Sequence, residues 1–170
     1  MPLQNIVDNE ISWKDVIKDK HVLFDSSAYI QFESYNILGQ LEIFKELNTV
    51  LCYIDPVKRE LLNTTNNLGR NHRQITLMKN FWEIPLKEID FKNTNRVQLF
   101  LSKFDCYPDI TDLYLAGKLV TFGHDKIVLL TGNIKHFIYP LFDRKGYIIL
   151  QNDKSSRILH ILTIDVSVLS

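Results

Sequence analysis

The spacing of apolar residues changes repeatedly along the chain, and each change predicts a new element. In the first twenty residues, Trp13, Val16 and Ile17 share one helical face, with Ser12 as the cap and Asp15 three residues on as a capping-box variant. Residues 21–24, HVLF, are a short apolar run closed by Asp25, which predicts a first strand. Over 26–48, Ile37, Leu41, Phe44 and Leu47 recur at helical spacing, with Gly39 as a weak point or a junction between helices. Residues 50–54 predict a second strand. Asp55-Pro56 then reads as a helix start, Asp at the N-cap and Pro at the first helical position. Val57 and Leu61 face the core, with Glu60 between them.

Residues 63–72, NTTNNLGRNH, carry turn chemistry without a period and predict a loop. Helix returns over 73–82, a brief strand follows over 84–86, and a further helix over 93–104 puts Val97, Phe100, Leu101 and Phe104 on one side. Pro108-Asp109 opens another helix with an inner stripe of Leu113, Ala116, Gly117 and Val120, small enough in places to lie close on a sheet. Residues 127–130, IVLL, are a fully apolar strand leading into Thr131-Gly132-Asn133 and a short segment, 134–142. Residues 147–150 predict a strand, and the β-rich stretch 157–168 an edge strand or a contact surface.

Strands that are near-continuous apolar runs are buried on both faces, and here they alternate with helices. The expected fold is therefore α/β, a three-layer α/β/α sandwich around a central, mostly parallel sheet. The 170 residues suit one domain, with a lead-in helix over 1–19, a core over 20–150 and a β-rich C-terminal extension over 151–170.

Charge and cysteine content narrow the classes. Lys plus Arg equals Asp plus Glu, 20 each, which excludes a generally basic binder but not an enzyme whose acidic site is offset by a basic rim. Cys52 and Cys106 form no CxxC pair and no metal spacing, so two reduced thiols in a cytoplasmic protein are expected. Asp8 and Glu10 precede any long apolar run, unlike a signal peptide, and no stretch approaches the roughly 20 apolar residues of a membrane span.

Open parallel sheets build their sites at the carboxyl ends of the strands. Asp25 ends the first strand, Glu60 lies early in the helix after the second, Asp112 lies in the first turns of the helix after 108, and Asn133 follows IVLL. Each has a plainer reading: Asp25, Asp109 and Asn133 as helix caps, Glu60 as a solvated helix residue. Together they suggest more, because crowded carboxylates repel unless a cation joins them. Oxygen ligands of this kind suit Mg²⁺ or Mn²⁺, which would activate a water and orient a phosphodiester.

The segments VLFDSSAYI, IDPVKRELL, YPDITDLYLAGKL and IVLLTGNIKHF resemble, in order, the four motifs of the PIN-domain family, whose small members include VapC-like ribonucleases. The resemblance spans roughly residues 20–150. It implies an α/β/α fold and a metal-dependent endoribonuclease with Asp25, Glu60 and Asp112 catalytic. It also implies metal held by those three with Asn133, and with Asp109 as a neighbouring carboxylate. Ser26 and Ser27 match the hydroxyl residues after the first acid. Two departures stand out. Asn133 replaces the family's fourth acid, removing one charge, and the 20-residue lead-in and C-terminal stretch exceed a small toxin's outline.

For substrate contacts the candidates are Ser26, Ser27, Arg59, Arg70, Arg73, Thr131, Lys135 and His136, with Lys58 and His72 nearby. The expected partners are RNA, with a small antitoxin protein and a second copy of the chain left open. The competing reading is a PIN domain that binds RNA or protein without cutting, favoured by Asn133. There is no P-loop, no GxGxxG and no GxSxG, and Asp25-Ser26-Ser27 lacks the second Asp of haloacid-dehalogenase-like enzymes.

Overall fold

The computed structural model describes residues 5–7 and 12–169. In chain order the elements are β1 (Ile6–Val7), α1 (Trp13–Ile17), β2 (His21–Phe24), α2 (Ser26–Ser34), a 3₁₀ turn (Leu38–Gln40) and α3 (Glu42–Glu46). Then come β3 (Val50–Tyr53), α4 (Asp55–Asn63), α5 (Asn67–Asn80), β4 (Trp82–Glu83), α6 (Glu88–Ser102) and α7 (Ile110–Phe122). β5 (Ile127–Thr131), β6 (Phe142–Gln151), β7 (Ser156–Ile164) and a 3₁₀ turn (Val166–Leu169) complete the chain. The strands form one sheet in the order β1–β6–β7–β5–β2–β3–β4. No helix among the described residues is long and apolar enough to cross a membrane.

The α/β sandwich is as expected, and its sheet is mixed. β5, β2, β3 and β4 run parallel, with Val22 opposite both Leu51 and Val128. β1, β6 and β7 attach antiparallel through the β5–β7 pair. All five residues of β5 are buried, which requires cover on both faces. Helix α2 packs on β2 and β5, and α7 on β5 and β7. Phe24 meets Phe32 and Phe81 edge-on, and Phe32 leads on to Phe44 and Trp13, so an aromatic chain joins the sheet to α2, α3 and α1.

Several elements differ from the pattern-based expectation. Part of the lead-in helix, and the acids Asp8 and Glu10, lie outside the described residues. Within them, Ile6–Val7 is a strand, and Ser12 stands at the N-cap of α1 without a side-chain bond. The helix expected over 26–48 breaks after Ser34, because Asn36 takes a left-handed φ of 58° and the Ile37 N–H turns back to Phe32. In α4, Ile54 holds the N-cap position and Asp55 is the first helical residue, where it binds Lys58 and Arg59.

The polar stretch 63–72 is mostly helix. Asn66 caps α5 by accepting the Gly69 N–H at 2.8 Å, and the helix buries only Arg73 and Leu77, so little apolar period was visible. The helix expected over 93–104 starts earlier, at Glu88, where the Asp90 carboxylate accepts the Lys87 N–H at 2.8 Å, and Phe104 lies beyond its end, exposed. The brief strand is Trp82–Glu83, paired with Cys52 and Tyr53. β6 is longer than 147–150, its start hidden by the polar Asp143, Arg144 and Lys145. The stretch expected at an edge is β7, an interior strand between β6 and β5, with Leu159 and Ile161–Ile164 buried.

The contact that places α7, and with it two candidate acids, is its packing on α6. Lys118 donates to Asp90 Oδ2 at 2.6 Å and to the Pro85 carbonyl at 2.8 Å, and both ionic side chains are fully buried. Thr121 donates to the other Asp90 oxygen at 2.6 Å. Burial would raise the Asp90 carboxyl, but the bonds from Lys118, Thr121 and the Lys87 N–H outweigh it and hold it below its usual value. Gly117 therefore faces α6 rather than the sheet. A Cβ there would stand 2.2 Å from Thr94 Oγ1 and 2.8 Å from the Asp90 carbonyl, too close without separating the helices. Gly117→Ala is expected to cost about 1–3 kcal/mol, as overpacking does. Urea denaturation measures this, and an unchanged midpoint would show that the helices have room for the methyl.

Candidate metal centre

The site is built where neighbouring parallel strands end. β2 continues to β3 on one side and lies against β5 on the other, so their carboxyl ends open a crevice at the point where the strand order diverges. Asp25 directly follows β2 and caps α2, its Oδ1 accepting the Ala28 N–H at 2.8 Å and the Ser27 hydroxyl at 2.7 Å. Its Oδ2 accepts the Thr131 hydroxyl from the end of β5. The Gly132 N–H donates to Ser27 Oγ at 2.9 Å, closing the link between β5 and α2.

The other acids arrive on helices. Glu60, in the second turn of α4, accepts the Ser26 hydroxyl. Asp109 caps α7 by accepting the Asp112 N–H at 2.9 Å, and Asp112 lies in the first turn. Asp25, Glu60, Asp109 and Asp112 line one open cleft of about 180 Å³ together with Ser26, Ser27, Thr111, Asn133 and His136. One oxygen each of Asp109 and Asp112 and one ring nitrogen of His136 lie within 4.8 Å of one another. His136 Nδ1 and Asp112 Oδ2 are 3.0 Å apart.

Electrostatics in the cleft follow from burial and like charge. Asp25 is 7% exposed, and burial raises its carboxyl from 3.8 to about 6. The bonds from Ser27, Thr131 and the Ala28 N–H pull it down, and the Asp112 charge pushes it further up. Asp112 is also raised, first by burial, with Asp109 and Glu60 adding to the rise and His136 opposing it. Carboxylates and an imidazole opening on one cleft are a donor set that fits a divalent cation.

Other candidates stand elsewhere. Arg73 is not a surface contact: its guanidinium binds Glu33 through two bonds, at 2.8 and 3.1 Å, and donates to the Leu61 carbonyl at 2.6 Å. Arg59 pairs with Asp55, Lys58 with Glu83 at 2.8 Å, and Arg70 donates to the Leu62 carbonyl at 3.1 Å. None of these four lines the cleft. Thr131 is fully buried and holds Asp25 rather than facing a substrate. Lys135 is exposed beside the cleft-lining His136. Asn133 lines the cleft, but its amide oxygen accepts the Lys135 N–H at 3.1 Å. Thr111 was not anticipated, and His136, read as rim, turns toward Asp112. Nothing in the spacing signals His136, since the segment before β6 is a run of turns with no period.

Against known proteins, no family model matches the chain, and no curated sequence matches it. Among solved structures, VapBC2 from Rickettsia felis, bound to a DNA fragment from its promoter, superposes with a TM-score of 0.51 and 16% identity, covering 69% of this chain and 90% of that one. The two share a fold. The PIN-domain endonuclease Utp24 aligns at a TM-score of 0.35 and 18% identity over 69% of this chain and 89% of its own. TrmN from Thermus thermophilus aligns at 0.37 and 14%, over 89% of this chain and 46% of its own. The structural neighbours thus include PIN-domain proteins, at low identity.

The Asp25 environment has a measurable consequence. Its folded value lies above its unfolded one, so between about pH 4 and pH 6 the folded state holds a proton that the unfolded state releases. Stability should fall as pH rises through that window, by up to about 3 kcal/mol once Asp25 is ionised. Asp25→Asn keeps the cap and should remove this fall, because Thr131 can turn its proton to the Asn133 carbonyl, 3.1 Å away. Denaturation in chelator across pH 4–7 tests it. Parallel curves for wild type and variant would show that Asp25 titrates normally.

Proposed function

We propose that this chain is a metal-dependent endoribonuclease of the PIN type. The observation that carries the reading is the meeting of Asp25, Glu60, Asp109 and Asp112, drawn from two strand-to-helix transitions and from the start of α7 after the α6–α7 turn, on one cleft at the carboxyl edge of the sheet. The fold shared with VapBC2 supports it. Asp25, Glu60 and Asp112 are the catalytic carboxylates, with Asp109 beside them, and would hold Mg²⁺ or Mn²⁺. Such an ion supplies Lewis acidity toward a phosphodiester oxygen and an activated water.

The chain's own residues prepare that site. Ser26 holds Glu60 toward the cleft, and Thr131, Ser27 and the α2 N-terminus fix Asp25. Lys135 is the cation left to contact a phosphate, since Arg59, Arg70 and Arg73 are engaged elsewhere. A toxin role with a small antitoxin partner, and pairing with a second copy, extend the reading by analogy with VapBC2. A second reading, RNA or protein binding without cleavage, is favoured by Asn133. Its amide oxygen serves the local turn, and the family's fourth negative charge is missing.

The deciding experiment is RNA cleavage with millimolar Mg²⁺ or Mn²⁺. Asp25→Asn and Asp112→Asn are expected to lose at least about 100-fold, as when a preorganised electrostatic group is removed. Arg59→Ala should stay near wild type because that side chain pairs with Asp55. Wild-type protein that binds RNA but leaves it intact with either ion would overturn the nuclease reading and favour the second.

A further inference from the structure

The donors gathered in the cleft are not all oxygens. Asp112 Oδ2 and His136 Nδ1 are 3.0 Å apart, and an Asp109 oxygen completes a group within 4.8 Å. Two donors bound side by side to one ion at about 2.1 Å, at right angles, stand about 3.0 Å apart. The Asp112–His136 pair already has that spacing.

The backbone holds all three in place. Asp109 caps α7 and Asp112 lies in its first turn, joined by the 2.9 Å cap bond, and α7 is locked to α6 by the buried Lys118–Asp90 pair. His136 comes from the turn after β5, where the Asn133 amide oxygen accepts the Lys135 N–H and the Phe137 N–H bonds to the Ile134 carbonyl. Phe137 is buried against Phe142, which anchors the far side of the histidine. His136 is thus flanked by two fixed points.

We propose that His136 is a metal ligand of this centre, joining Asp109 and Asp112, and that its nitrogen biases the site toward a first-row transition ion over Mg²⁺. Imidazole suits such ions, whereas Mg²⁺ favours oxygen donors and retained water. Asn133 is then relieved of a ligand role, consistent with its amide oxygen serving the turn. The inference rests on the cleft being a metal centre, but it does not depend on RNA being the substrate.

Calorimetric titration of the full chain with Co²⁺, Mn²⁺ and Mg²⁺ separately tests it, with the visible absorption of bound Co²⁺ as a second readout. Wild type should bind Co²⁺ tightest and Mg²⁺ weakest. His136→Gln should lose about 10- to 100-fold in Co²⁺ affinity, the scale seen on removing a group that supports a metal site, with a changed Co²⁺ spectrum and less than about 3-fold change for Mg²⁺. His136→Asp, which restores an oxygen donor, should narrow the gap between Co²⁺ and Mg²⁺ and controls for loss of fold. If Co²⁺ affinity and spectrum are the same in wild type and both variants, the histidine is not a ligand, and the metal centre stands on its carboxylates alone. If wild type binds none of the three ions, the nuclease reading falls with the inference.

Discussion

Asp25 ties together three pieces of chain that would otherwise end independently. One carboxylate oxygen caps α2 and takes the Ser27 hydroxyl, while the other takes Thr131 from the end of β5. The edges of β2 and β5 are thereby held at a common level where the cleft opens. The carboxyl is also buried so fully that, in spite of these bonds, ionising it costs free energy, which a cation in the cleft would offset. Structural link and shifted acidity come from one side chain, because a short acid at a strand-to-helix turn can serve both.

A second constraint acts at a distance. The Asp90–Lys118 pair is fully buried, so breaking it by removing one partner would strand a charge. With Gly117 it sets how closely α6 and α7 approach, and so where the first turn of α7 presents Asp109 and Asp112. An ionic bond in the core thus fixes the position of two acids at the surface.

The charges are sorted rather than scattered. The chain has no net charge, yet the cleft gathers four carboxylates, while Lys58, Arg59 and Arg73 neutralise acids elsewhere. Concentrated negative potential of this kind attracts a cation before it attracts a nucleic acid.

What the amino-acid sequence determined by itself was local and periodic. HVLF, VLCY and IVLL announce their strands because buried parallel strands need unbroken apolar runs, and Asp25 and Asp109 announce helix starts because short acids cap helices. Their order along the chain implied an α/β sheet with acids at its carboxyl edge. Segments whose residues are mostly solvated stayed illegible: the first turns of α5 hide in a polar stretch because the helix buries only Arg73 and Leu77, and the start of β6 hides behind DRK. Only the tertiary structure decided that β7 lies inside the sheet, since strand order depends on pairing across long loops and not on local pattern. It also decided which cations are spent internally and that His136 meets Asp112, because a side chain 24 positions away reaches an acid only when helix packing and a turn bring them together.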